Sequence, residues 1–144
     1  MTLSHHNLVN NAHQIGHRIG YNEKVWPVSL SRLIDPFITL FQPHRICISV
    51  PFYHCFGNVA GTLCGLVHGA TNVVPCPSFN GAACVEAIEA EKCTSIYGTP
   101  TMFVDILAEA RLRKPDVSHV ETGIMAGGSG LLCHRDTTET ERGH

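Results

Sequence analysis

A chain of 144 residues holds at most one domain of ordinary size, and with 44% hydrophobic and 15% charged residues it is too apolar for general disorder. Its formal net charge is -2 with His neutral. The basic residues do not cluster, which points away from nucleic acid and anionic membrane surfaces, and no run approaches the ~18 uninterrupted apolar residues of a membrane span.

Residues 4–20 read as the first helix. Leu8, Ala12, Ile15 and Ile19 recur at helical spacing, Ser4 is placed to cap the start and Gly20 to stop the end. The opposite face carries Asn, His, Gln and Arg and reads as solvated. Residues 26–43, "WPVSLSRLIDPFITLFQP", fit no period, and Pro36 would interrupt a helix.

Regular alternation follows. Residues 46–50 form a β-rich run. A small-residue helix pattern over 59–68 stops at Gly69. "TNVVP" is a second strand, and "AACVEAIEAEK" a helix with Val85, Ala87 and Ile88 inward and Glu86, Glu89 and Glu91 outward. "TSIY" is a third strand. Thr99 caps a helix with Pro100 at its first position, ended by Pro115, and "TGIMAG" is a fourth strand. Strands alternating with helices across short connections predict an α/β fold with a parallel sheet flanked by helices. Ligands bind such sheets outside the carboxyl ends of the strands, here residues 51–57, 75–81, 98–101 and 127–130. Residues 129–144 carry no strand signal and read as a disordered tail.

The seven cysteines, Cys47, Cys55, Cys64, Cys76, Cys84, Cys93 and Cys133, are odd in number and lack C-x-x-C spacing. They read as reduced, mostly buried thiols of an intracellular protein. His13 and His17 share a helical face, as a zinc pair would, but no Glu follows His13 and no third ligand stands out, so a solvated face is favoured. In "PFYHCFG", residues 51–57, Tyr53 and Phe56 flank His54. That imidazole either faces a ligand between aromatic walls or sits in a buried loop bonded to a backbone carbonyl. In "AGGSG", residues 126–130, small residues allow the backbone to approach an anion or simply form a flexible exit.

Taken in order, "TLSHHNLVNN", "PFYHCFG", "GTLCGLVHGAT", "FNG", "YGTPTMFVDIL" and "GIMAG" resemble the AMP-forming acyl-CoA synthetases, or adenylate-forming enzymes, over roughly residues 2–25 and 44–128. The likeness is strongest to the family's mitochondrial medium-chain fatty-acid ligases. It implies that residues 1–128 are a piece of the large N-terminal domain of such an enzyme. It also implies a two-step reaction of fatty acid, ATP with Mg2+, and CoA through an acyl-adenylate. His54 resembles the pocket histidine near the acyl carboxylate and adenylate. Tyr53 and Phe56 resemble walls of the acyl or pantetheine channel, and Gly127 and Gly128 the backbone lining the adenylate and acyl pocket.

Several family parts are missing from these residues: the Ser/Thr/Gly-rich phosphate loop with its Lys, the magnesium-supporting Glu, the ribose Asp and the lid with its catalytic Lys. The chain is therefore expected to be an internal fragment, inactive alone and free of bound cofactor, with any targeting leader lying upstream. Residues 26–43 have no family counterpart and read as an insert from translated intron or a gene-model error. The match ends after Gly128. The alternatives are a non-catalytic short isoform that binds an acyl group, a nucleotide or a partner, and, ranked last, a small flavodoxin-like binding domain.

Overall fold

A computed structural model describes residues 2–21 and 44–128. The expectations for residues 26–43 and 129–144, including Cys133, lie outside the described residues.

Helix α1 (His5–Ile19) begins where the sequence places it. The Ser4 hydroxyl accepts the Asn7 amide at 3.3 Å while the Asn7 side chain accepts the Ser4 amide at 3.1 Å, a reciprocal capping box. It ends at Gly20, whose φ of 87° is left-handed, and the Tyr21 amide reaches back to the Gly16 carbonyl at 2.9 Å.

Strand β1 (Arg45–Ile48) follows the undescribed segment. Next come α2 (Phe56–Leu63), a π-helical stretch, and α3 (Cys64–Val67), which continues it. The chain then forms β2 (Thr71–Val73), α4 (Gly81–Ala90), β3 (Ser95–Gly98), α5 (Pro100–Arg113) and β4 (Thr122–Met125). The caps are local: Asn80 accepts the Ala83 amide, and Thr99 accepts the Met102 amide ahead of Pro100.

All pairings are parallel, and the strand order is β2-β1-β3-β4. Side chains alternate across the sheet. Ile46, Ile48 and Tyr97 pack with Ala12, Tyr21, Val59 and Cys64 under α1, α2 and α3. Cys47 packs with Cys84, Val85, Ile88, Cys93 and Ile106 under α4 and α5. The α/β arrangement expected from the sequence is thus the one found. All six described cysteines are free, and Cys47, Cys64, Cys84 and Cys93 are buried.

Two contacts hold the α1 segment in place, one to the sheet and one to the end of α3. The Tyr21 hydroxyl donates to Ser95 Oγ at 2.8 Å and pairs with the Tyr97 hydroxyl at 2.8 Å. His68 packs so closely on Gly16 that a Cβ there would lie 2.1 Å from the imidazole Cδ2. His68 Nε2 also meets the His13 carbonyl at 3.0 Å, and the His13 ring lies 5.3 Å from that of His68. His13 and His17 are exposed, as the solvated-face reading expects, and only the His13 edge of that face packs on His68.

Candidate active-site cavity

The sheet order reverses beside β1, so the crevice lies outside the carboxyl ends of β1 and β3. The loop of residues 51–57 leaves β1 there. The His54 amide donates to the Pro51 carbonyl at 3.3 Å, and the Asn58 amide to the His54 carbonyl at 3.0 Å. Gly57 closes this loop: a Cβ at that position would fall 2.4 Å from the Pro51 carbonyl oxygen. The helix that follows is wider than an α-helix, and the Thr62 hydroxyl donates to the Gly57 carbonyl at 3.3 Å. π-Helical turns recur at functional sites.

His54 is exposed, and its Nδ1 accepts the Phe56 amide at 3.1 Å. The buried-loop alternative, with the imidazole donating to a carbonyl, is therefore not what forms. The Phe56 ring stacks on buried Tyr97 with centroids 6.0 Å apart, which fixes it as a wall. On the far side, β4 delivers Ala126 and Gly127. Gly127 has φ of 87°, a backbone that side-chain-bearing residues rarely adopt.

His54, Phe56 and Gly127 line one cavity of about 580 Å³. Its other walls are Leu3, Leu8 and Ile15 of the α1 segment, Val59 and Ala60 of α2, and Ile124 of β4. No Asp, Glu, Lys or Arg occurs among the described lining residues. The space suits an uncharged, flexible chain, with polar groups at its rim.

The other two expected residues lie elsewhere. Tyr53 is 94% exposed and borders a neighbouring cavity of about 420 Å³ with Ser49, Val50, Phe79 and Met102. Residues 51–57 therefore partition two cavities, and Tyr53 and Phe56 do not flank His54 within one. Gly128 lines neither; a Cβ there would meet Pro100 Cγ at 3.1 Å, so it seats the loop on the start of α5.

The sequence reading missed Asn7 and Asn11, which line the larger cavity with Ile15. Their spacing of four, continued at Ile15, was the available signal, but polar residues at that spacing also describe a solvated face.

Among the described residues, no group of three or more His, Cys, Asp or Glu is placed to hold a metal ion. No helix among them is long and apolar enough to cross a membrane.

Residues 1–132 match the family described as AMP-binding enzyme. The chain is 46% identical over 126 residues to the mitochondrial medium-chain acyl-CoA ligase ACSF2 of Danio rerio, and 42% identical over 126 residues to that of Homo sapiens. Each match covers 88% of this chain and 18% of the relative. It is 38% identical over 125 residues to the acyl-CoA ligase SID4 of Ajellomyces capsulatus, covering 87% of this chain and 18% of that protein. Among solved structures it resembles the amide bond synthetase McbA of Marinactinospora thermotolerans, at 28% identity and a TM-score of 0.51 over 59% of this chain and 17% of that one. The chain thus spans about a fifth of the length of the curated relatives it matches. By its sequence and its parallel α/β sheet alike, the chain belongs to the AMP-binding enzyme family.

Proposed function

We propose that these residues form the acyl side of the active site of an ATP-dependent fatty acid–CoA ligase, acting on medium-chain acids in mitochondria. In the first step a fatty carboxylate attacks the α-phosphate of ATP, giving an acyl-adenylate and pyrophosphate. In the second the CoA thiol displaces AMP and leaves the thioester.

One observation carries the reading. In a chain of this family, His54 and Phe56 from the β1 exit and Gly127 from the β4 exit line a single, mainly apolar cavity at the carboxyl end of the sheet. The alkyl tail would lie against Phe56, Val59, Ala60 and Ile124. Each buried methylene is worth about 0.8 kcal/mol, enough to make an apolar cavity discriminate by chain length. His54 at the rim would meet the carboxylate, and the left-handed turn at Gly127 lets the backbone approach the adenylate. Tyr53 and the second cavity would border the path of the pantetheine arm.

Magnesium bound with ATP would offset phosphate charge. The described residues supply no ligand set for it, and no step here runs through it.

The test is acid-dependent ATP–pyrophosphate exchange by the gene product containing these residues. Octanoate should support exchange, and His54→Ala should lower kcat/KM at least about tenfold, or about 1.4 kcal/mol. Full activity in His54→Ala would remove the histidine from the site.

A further inference from the structure

We propose that Cys47, Cys84 and Cys93 form a peroxide-sensitive thiol–disulfide site on the face of the sheet away from the candidate cavity, in which Cys47 closes onto Cys84 or Cys93. The site stands apart from the ligase reading and needs none of its substrates.

Three segments of chain bring these sulfurs together. Cys47 lies in β1, where side chains alternate across the sheet, and it faces α4 and α5 while Ile46 and Ile48 face α1, α2 and α3. Cys84 lies early in α4, where its amide donates to the Asn80 carbonyl at 3.0 Å. Cys93 follows α4. Lys92 turns the chain there with a φ of 50°, and the Cys93 amide returns to the Ile88 carbonyl at 3.1 Å. All three cysteines are buried in one cluster with Val85, Ile88 and Ile106. The Cys47 thiol is within hydrogen-bonding reach of both other sulfurs.

A lone buried thiol behaves as a small hydrophobe. Here one S–H faces two sulfurs, which changes its chemistry. Donation from Cys47 holds the Cys84 and Cys93 thiols below their ordinary value, and the same bonds push Cys47 up. Cys93 also has an acceptor for its own proton, the Ala87 carbonyl at 3.7 Å, so its lone pairs are free for Cys47. The outer sulfurs thus carry thiolate character, the form that reacts with peroxide. A disulfide is about 2.0 Å long, so closure is a short movement of side chains already in contact. The sulfurs are not placed to hold a metal ion, which favours a sulfur–sulfur bond over coordination.

The thiolate of Cys84 or Cys93 attacks one oxygen of a hydroperoxide and breaks the O–O bond. This gives a sulfenic acid, and the departing oxygen leaves as water with the thiol's proton when the oxidant is hydrogen peroxide. The Cys47 sulfur then displaces the sulfenic hydroxyl, which leaves as a second water with the Cys47 proton. Two thiols lose two electrons and two protons, and the peroxide takes up both. Access runs from the outer side of α4 and α5, where Val85, Ile88 and Ile106 of the same cluster also line an apolar cavity of about 190 Å³. A neutral, water-sized oxidant fits that space.

The experiment treats the native full-length gene product with hydrogen peroxide, alkylates it under denaturing conditions and maps its cysteines by mass spectrometry. Trypsin leaves Cys47 and Cys84 in one peptide, residues 46–92, and Cys93 in the next, residues 93–111. A Cys47–Cys93 bond joins the two peptides, and a Cys47–Cys84 bond leaves an internal bridge in the first. Either way, Cys47 and one partner should lose their alkylation, the third thiol should keep it, and dithiothreitol should restore both. The Cys84→Ala/Cys93→Ala double variant should lose the Cys47 disulfide. Should that variant fail to fold, the map of the parent protein still decides. Peroxide that fully oxidises exposed Cys55 while Cys47, Cys84 and Cys93 all remain open to alkylation would overturn the proposal. A bond joining Cys84 to Cys93, or Cys47 to Cys55, Cys64 or Cys76, would do the same. A gene product without ligase activity leaves this test intact.

Discussion

Tyr21 serves two hydroxyls at once in the core beneath α1. Its own O–H donates to Ser95, so the Tyr97 hydroxyl is the donor in the second bond. Tyr21→Phe therefore takes a partner from both neighbours, whereas Tyr97→Phe leaves the Tyr21–Ser95 bond standing. Leaving a buried polar group unpaired costs about 1–3 kcal/mol, more than the net worth of one satisfied bond. Urea denaturation should show Tyr21→Phe costing about 2 kcal/mol and Tyr97→Phe about 1 kcal/mol. Equal losses would mean that the Tyr21–Ser95 bond contributes nothing of its own. The same cluster predicts an alkaline limit. Burial pushes the Cys64 thiol up to about 11 from 9.0, and burial also raises Tyr21 and Tyr97 above 10.0. Groups raised in the folded state stabilise it fully below their unfolded values, and that contribution is lost as pH rises through the folded ones. The denaturation midpoint should hold to about pH 9 and fall between about pH 9 and 11. A flat midpoint across that window would contradict the burial argument.

At the scale of elements, α1 is held to α3 by the missing side chain of Gly16. Alanine is the better helix former by up to about 1 kcal/mol, yet its methyl would meet the His68 ring at 2.1 Å. Overpacking of this kind costs about 1–3 kcal/mol, so Gly16→Ala should lower the melting temperature. A rise would mean that His68 moves aside freely. The described residues flanking that segment meet, since the Tyr21 and His44 rings lie 4.7 Å apart. We propose that residues 26–43 are an insert the fold does not require. Excising them leaves residues 22–25 to connect Tyr21 to His44, and closing so short a connection costs roughly 1.5 kcal/mol less entropy. The shortened chain should melt at the same or a higher temperature, and failure to fold would refute the proposal. Much at this scale was legible. Ser4, Gly20, Thr99 and Pro100 act through bonds within a few residues, so their signals are local. The strand order was not legible, because it depends on pairings between residues far apart in sequence. Nor was the π-helical start of α2, which begins at Phe56 and not near Val59. There the small residues that blur a periodic pattern allow close packing: a Cβ on Gly61 would lie 3.0 Å from Ile48 Cδ1. Within the loop of residues 51–57 composition marked a site, but only the backbone decides that His54 and Phe56 face one cavity and Tyr53 another.

For the whole molecule, the ligase reading has these residues supply one wall of an active site. The expected phosphate loop, magnesium Glu, ribose Asp and lid Lys are not among the 144 residues. Donors placed where charge develops are usually the largest single contribution to catalysis. These 144 residues expressed alone should therefore form no acyl-CoA from octanoate, ATP and CoA, and thioester formation above the uncatalysed background would contradict that. The central claim is best tested on the native gene product, isolated by its peptide "CTSIYGTPTMFVDILAEAR", residues 93–111. The deciding measurement is fatty-acid-dependent ATP–pyrophosphate exchange across acids from butyrate to palmitate. The ligase reading predicts exchange that peaks with a medium-chain acid and gives way to AMP and acyl-CoA when CoA is added. A folded protein that shows no exchange with any of these acids would contradict it.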